Sequence, residues 1–146
     1  MTKLTARPCE LCNPAPEKVL WRDAFCRVVL VDESGYPGFC RVTLERHMSE
    51  MTDLSAPERV RLMGAVFATE AALREVLAPD KINLASLGNG VPHLHWHVIP
   101  RYRDDRHFPR PIWAEPCRDA PERAAPDADR LARALKQRLG RPETLA

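Results

Sequence analysis

Apolar residues in the first third of the chain recur in short runs with the two-residue period of a β-strand. Residues 18–22 (Lys-Val-Leu-Trp-Arg) and 25–31 (Phe-Cys-Arg-Val-Val-Leu-Val) predict two strands, with Asp23-Ala24 as the hairpin turn between them. The second strand is almost wholly apolar, which predicts a central place in a sheet. Turn-forming residues crowd 32–38, and partial alternation over 39–44 predicts a third strand. The period then changes. Ser55 followed by Glu58 has the spacing of a capping box and predicts a helix over 56–78, ended by Pro79. Its apolar stripe is Leu62, Met63, Val66, Phe67, Leu73, Val76 and Leu77, so the helix is expected to lie across a sheet face. Residues 81–87 predict a fourth strand, and Gly88-Asn89-Gly90 the turn of a hairpin into a fifth. Beyond Arg101 the chain is rich in Arg, Asp and Pro, which predicts a surface tail over 101–126. A short helix follows over 127–139, with Asp127 as N-cap and Gly140 just past its end. Its stripe of Leu131, Leu135 and Leu139 has to pack on the body or on a partner.

The fifth strand carries His93-Leu94-His95-Trp96-His97-Val98. Strict alternation puts His93, His95 and His97 on one face, roughly 6–7 Å apart, with Leu94, Trp96 and Val98 on the other. A lone histidine on a strand is ordinarily a satisfied or half-exposed residue. Three in register are not something packing asks for. Imidazole serves near neutral pH as nucleophile, acid/base or metal ligand, so this stretch is the candidate for chemistry. The glycines of the preceding turn leave backbone N–H groups able to approach an anion. Of the remaining histidines, His47 alone reads as a surface or capping residue and His107 as solvated. The segment Phe108-Pro109-Arg110-Pro111-Ile112-Trp113 either folds back over the site or packs on a neighbouring subunit.

Cys9-Glu10-Leu11-Cys12 is a Cys-x-x-Cys in a proline-flanked turn. It is compatible with a redox pair, with two unrelated thiols, or with half of a tetrahedral metal site whose other ligands lie elsewhere. Cys26 and Cys40 read as small core residues.

At 146 residues the chain is one domain with room for a core, and its formal charge of +2 says little about partners. No basic stripe with interleaved aromatics appears, so nucleic acid is not an expected partner. Met1 to Arg7 lacks the apolar region of a signal peptide. The uncharged run 82–100 holds Pro, Gly and three His, so it is no membrane span. Five cysteines, an odd number, without an export signal point to a reducing, cytoplasmic setting rather than a disulfide framework.

At His93-Leu94-His95-Trp96-His97-Val98-Ile99 the sequence resembles the histidine-triad (HIT) superfamily, whose signature is three histidines alternating with apolar residues. Gly88-Asn89-Gly90-Val91 resembles the family's Gly-Gln-Ser/Thr-Val block. Pro100-Arg101 resembles its Pro-Arg, and Val31-Asp32 with Pro37-Gly38 an earlier strand-and-loop block. The resemblance implies an α+β fold: a five-stranded antiparallel sheet with one long helix packed on it, to which this chain adds a C-terminal helix. It places a HIT domain over 1–113 and a tail over 114–146. Two protomers are implied to join as a homodimer with one ten-stranded sheet.

The implied activity is hydrolysis at the α-phosphate of a nucleoside phosphate derivative, a dinucleoside polyphosphate or a nucleoside phosphoramidate. His95 would be the nucleophile that becomes nucleotidylated, and His97 would stabilise phosphate or leaving-group charge. A neutral imidazole suits that role, because it attacks phosphorus without first losing a proton. Asp32 matches an acidic position near the ribose. Asn83, Gly88, Asn89 and Gly90 are the further substrate-binding candidates. Some members carry a structural zinc on residues that correspond to Cys9, Cys12, His47 and His93, a closed Cys₂His₂ set. This chain departs from the family pattern in three places. Phe39 stands at or beside a usual histidine, Asn89 at a usual glutamine, and Gly90 at a usual hydroxyl residue. The same residues are compatible with a nucleotidyltransferase or phosphorylase, and with a zinc-stabilised nucleotide-binding module of little catalysis.

Overall fold

The computed structural model describes residues 8–143. The N-terminal stretch 1–7, on which the expectation of no signal peptide rests, lies outside the described residues. Five strands are found: β1 Lys18–Arg22, β2 Cys26–Leu30, β3 Cys40–Leu44, β4 Lys81–Ala85 and β5 His95–Arg101. They form one antiparallel sheet in the order β1-β2-β3-β5-β4. The helices are α1 Ala56–Leu77 and α2 Ala128–Leu139. This is the α+β architecture that the resemblance implies, with its one long helix and a C-terminal helix.

Each element starts where its local chemistry dictates. The Ser55 side chain accepts from the Glu58 N–H at 3.3 Å, and the Glu58 carboxylate accepts from the Ser55 N–H at 2.8 Å. Two of the helix's orphan donors are thereby satisfied. Asp127 caps α2 in the same way, accepting from the Arg130 N–H at 3.1 Å. At the β1–β2 turn the Asp23 carboxylate accepts from the N–H groups of both Phe25 and Cys26 at 2.8 Å.

Alternation gives the sheet two unlike faces. Cys26, Val28, Cys40, Val42, Leu44 and Val98 pack against Leu62, Val66 and Leu73 of α1 and Leu131 and Leu135 of α2. Burial pushes the Cys26 and Cys40 thiols up to about 12, as inert core residues. Trp21 donates from its indole to the Gly140 carbonyl at 3.0 Å, which locks the end of α2 to β1. The stripe of α2 therefore packs on the body. The opposite face carries Arg27, Arg41, Thr43, His95 and His97 in register.

Four sequence expectations need correction. Phe67 is not in the buried stripe of α1; it is 54% exposed, and Ala65, Ala68, Thr69 and Ala72 are buried instead. Small residues let the helix approach the sheet closely, and a stripe read from large side chains misses them. The fourth strand stops at Ala85, and β5 begins only at His95, so no tight hairpin turn exists at Gly88-Asn89-Gly90. The 101–126 stretch is not a plain surface tail, because Arg101 and Asp105 are both buried. Their side chains pair at 2.7 Å, and Asp105 also accepts backbone N–H groups of Tyr102, His107 and Phe108. His107 is half-buried rather than solvated, with its Nδ1 2.5 Å from the Tyr36 hydroxyl.

Candidate functional site

The three histidines of the motif divide into two environments. His93 precedes β5, and Leu94 is tied to the end of β3 and the segment after it: its N–H donates to the Met48 carbonyl at 2.8 Å, and its carbonyl accepts from the Leu44 N–H at 3.1 Å. The His93 ring is 1% exposed and pairs with His47, centroids 5.1 Å apart. His95 and His97 form the second pair, with centroids 5.0 Å apart and planes nearly perpendicular. The single continuous row of three imidazoles expected from alternation is thus replaced by two pairs.

The first pair belongs to a closed donor set. One ligand atom each from Cys9, Cys12, His47 and His93 lies within 4.8 Å of the others. Cys9 Sγ and Cys12 Sγ stand 3.4 and 3.5 Å from His93 Nδ1, Cys12 Sγ stands 3.4 Å from His47 Nδ1, and the two Nδ1 atoms are 3.2 Å apart. A tetrahedral ion with bonds of about 2.3 Å to sulfur and 2.0–2.1 Å to nitrogen separates its ligands by about 3.3–3.7 Å, so the set could hold a metal ion. His93 is prepared for it. Its Nε2 donates to the Leu44 carbonyl at 2.6 Å, which leaves Nδ1 unprotonated and turned to the thiols. Burial lowers the His93 pKa, against the opposing pull of that carbonyl, and so favours the neutral ring a metal requires.

The second pair has the features of a reaction centre. His95 Nδ1 donates to the His93 carbonyl at 2.6 Å, which fixes the tautomer and leaves Nε2 with a free lone pair. The strand is steadied there by the Ser86 hydroxyl, which donates to the His95 carbonyl at 2.8 Å. His97 packs edge-on against Phe39 at 5.4 Å and against Trp113 at 5.3 Å between ring centroids. Burial lowers the His97 pKa to about 4, with smaller contributions from His95 and Arg41. Its buried Nδ1 has no hydrogen-bond partner among the described residues. Such an atom costs about 1–3 kcal/mol unless something bonds to it. Ile112 packs with Phe39 and Ile99, so the 108–113 segment folds back over its own protomer's histidine face.

The remaining candidates are more dispersed. Gly88 and His95 share a cavity of about 320 Å³ with Ser49, Ser86 and Trp96. Gly88 takes φ +71°, which a side chain would strain. Around Gly90 a Cβ would meet nothing within 4 Å, so the loop has open space there. Asn89 lies in the same loop and outside that cavity's lining. Asp32 lines a separate cavity of about 690 Å³ with Gly35, Arg106 and Arg123. Asn83 accepts from Arg101 Nη1 at 2.7 Å and is thereby drawn into the Arg101–Asp105 network.

Sequence reading missed an arginine–glutamate chain on the histidine face. Glu17 accepts from Arg27 Nε at 2.8 Å and from Arg41 Nη2 at 3.0 Å, and Glu45 accepts from Arg27 at 3.2 Å and Arg22 at 3.0 Å. Arg41 alternating with the apolar Cys40 and Val42 was the available signal. It is an outward charge on a strand whose two neighbours are interior.

A family model described as the HIT domain matches residues 13–104. A histidine triad protein from Bradyrhizobium japonicum has a similar structure at 28% identity and a TM-score of 0.63, covering 84% of this chain and 91% of its own. A histidine triad protein from Marinobacter aquaeolei is 26% identical with a TM-score of 0.69, over 84% of this chain and 90% of its own. A hypothetical histidine triad nucleotide-binding protein from Sulfolobus tokodaii shares the fold at 15% identity and a TM-score of 0.64, covering 90% of this chain and 97% of its own. No curated protein matches the chain. With the model spanning most of the sheet, the long helix and the paired histidines, the chain belongs to the HIT domain family.

Proposed function

We propose that this protein hydrolyses a nucleoside phosphate derivative at its α-phosphorus in two displacements. His95 Nε2 attacks phosphorus, an N–P bond forms, and the bond to the leaving group breaks. Water then attacks the same phosphorus, the N–P bond breaks, and the nucleotide leaves with the imidazole restored. The observation that carries the reading is the 2.6 Å bond from His95 Nδ1 to the His93 carbonyl. It aims the lone pair of Nε2, and the carbonyl dipole stabilises the positive charge the ring acquires on attack. His97, neutral because its pKa is about 4, offers an N–H to phosphate oxygens rather than a full charge. Backbone N–H groups at Gly88, Asn89 and Gly90 serve the same oxygens. Asp32 and Asn83 are the candidates for the nucleoside.

Cys9, Cys12, His47 and His93 would hold zinc, on the evidence of their thiolate–imidazole donor set and its spacing. A set with all four positions supplied by protein is structural. Its part is to fix the loop whose carbonyl orients His95. Residues 1–113 form the unit that carries this chemistry, with 114–146 appended. The chain acts as a homodimer in the cytoplasm. Among the described residues no helix is long and apolar enough to cross a membrane.

The test is a rapid acid-free quench of the protein with diadenosine tetraphosphate or adenosine phosphoramidate, followed by peptide mass mapping. An adenylyl group on the His95 peptide, absent from His95→Ala, supports the covalent route. Turnover undiminished in His95→Ala refutes it.

A further inference from the structure

Beside the two histidines stands a cation to which the mechanism above gives no task. Arg41 faces His97 across the β3–β5 ladder and Val29 across the β2–β3 ladder. Side chains at such opposed positions have Cβ atoms about 4.5–5.5 Å apart. The guanidinium is held at one end only. Nη2 donates to Glu17 at 3.0 Å, while Nε is buried without a partner among the described residues. Glu17 is shared between two guanidinium groups, since its other oxygen accepts from Arg27 at 2.8 Å.

Charge along this chain does not cancel. Arg22, Arg27 and Arg41 are joined by two carboxylates, Glu17 and Glu45. Arg27 is sealed at 2% side-chain exposure and donates from its third nitrogen, Nη2, to the Leu11 carbonyl at 2.9 Å. The surplus positive charge lies at the two open ends, Arg22 at 32% and Arg41 at 25% side-chain exposure, and of these it is Arg41 that stands opposite His97. Arg41 also lines a cavity of about 370 Å³ formed otherwise by the 10–17 segment, Glu10 and Glu17 included, which the two histidines do not line. On the other flank of His97 the ladder offers Ala85, which is neutral. Arg101 is committed to Asp105. An anion at the His95–His97 pair that extends across the ladder toward β3 meets Arg41.

We propose that Arg41 binds phosphate oxygens of the leaving group, which makes the substrate class nucleoside and dinucleoside polyphosphates rather than phosphoramidates. This rests on the hydrolase reading above. A guanidinium is planar and permanently charged, and one anchored through Nη2 keeps Nη1 for a phosphate oxygen. A phosphoramidate's leaving amine carries no anion for such a group to hold.

The test compares two substrates that share a nucleoside and differ in the charge of the leaving group. Arg41→Gln is expected to lower kcat/KM for diadenosine tetraphosphate by about thirtyfold, and for adenosine phosphoramidate by less than about threefold. Arg41→Lys should recover part of the loss. Arg41→Met, which keeps the volume of the stem, serves if the Gln variant does not fold. An equal loss on both substrates, or none on the tetraphosphate, overturns the proposal. So does a loss that follows adenine against guanine whatever the leaving group, since Arg41 would then be reading the base.

Calorimetric binding of inorganic tripolyphosphate keeps the two readings apart. If the native protein turns over neither substrate, the hydrolase reading fails. Arg41 still stands if Arg41→Gln weakens tripolyphosphate binding about tenfold or more, and falls if the affinity is unchanged.

Discussion

The His93 carbonyl oxygen and His95 Nδ1 are 2.6 Å apart, and the two residues face opposite tasks. The His93 ring turns into the Cys9–Cys12–His47 cluster while its backbone orients the ring of His95. A metal held by the first residue would therefore set the second without touching it. Supporting partners of this kind act through ring orientation and tautomer.

On the proposal that zinc occupies this cluster, its removal should cost both stability and rate. Cys12→Ser is expected to lose bound zinc and lower Tm by roughly 10 °C, equivalent to about 3 kcal/mol in a domain of this size. The same variant should lose kcat more than it changes KM, because the nucleophile is misaimed rather than the nucleotide released. Elemental analysis with calorimetry checks the first part. A zinc-free protein with an unshifted midpoint would sink it.

The neutrality of His97 makes a pH prediction with a definite sign. Its folded pKa, about 4, lies below the ordinary 6.5, chiefly because of burial. The unfolded state therefore binds its proton first as pH falls. The stabilising effect of the neutral ring is fully present above about 6.5 and lost between about 6.5 and 4. The ring is partly solvated, and after screening the loss is about 1–2 kcal/mol. Denaturant titrations at pH 7 and 4.5 should show it, and His97→Gln should flatten that part of the profile. A His97 ring proton titrating near 6.5 by NMR would contradict the assignment.

Asp105 predicts the largest purely structural effect. Burial opposes its ionisation, but Arg101 and the N–H groups of His107, Tyr102 and Phe108 outweigh it and hold the carboxyl well below the usual range. Asp105→Asn leaves the 2%-exposed Arg101 guanidinium without its countercharge. The expected loss is about 3–5 kcal/mol. For the native protein this contribution is present above about pH 4 and fades as pH falls further. Unfolding of the variant in urea gives the comparison, and a change under about 1 kcal/mol would refute the role.

How much of this could be read from the chain divides along range. The strand runs, the capping box at Ser55 and Glu58, and the Asp127 cap are local, and each element appears where its own residues call for it. The cluster of Cys9, Cys12, His47 and His93 draws on positions up to 84 residues apart, and only the family resemblance linked its halves. Alternation could not say where the β5 ladder ends, because that depends on Met48 and Leu44, distant in sequence, binding Leu94. Arg101–Asp105 and the Arg27–Glu17–Arg41 chain stayed hidden for another reason. Charges ordinarily mark solvated surface, and only the fold shows which ones have been given partners.

The proposed homodimer supplies the last prediction, and two features of one protomer bear on it. β4 is hydrogen-bonded to β5 alone and forms an edge of the sheet. On α1, Val60 is 74% and Phe67 54% exposed. They are seven residues, two turns, apart and so share a face. Gly64 lies between them, where a Cβ would meet nothing within 4 Å, so a second helix can come close. Two copies paired about a two-fold axis through the α1 face would use every residue of it twice. Phe67→Glu then removes two buried phenyl rings at about 2 kcal/mol each, which weakens association about a thousandfold. Sedimentation equilibrium should find the native chain at twice 16.5 kDa and Phe67→Glu at the monomer mass with unchanged helical content. A native chain that sediments as a monomer at high micromolar concentration would mean that the edge and the stripe serve some other contact.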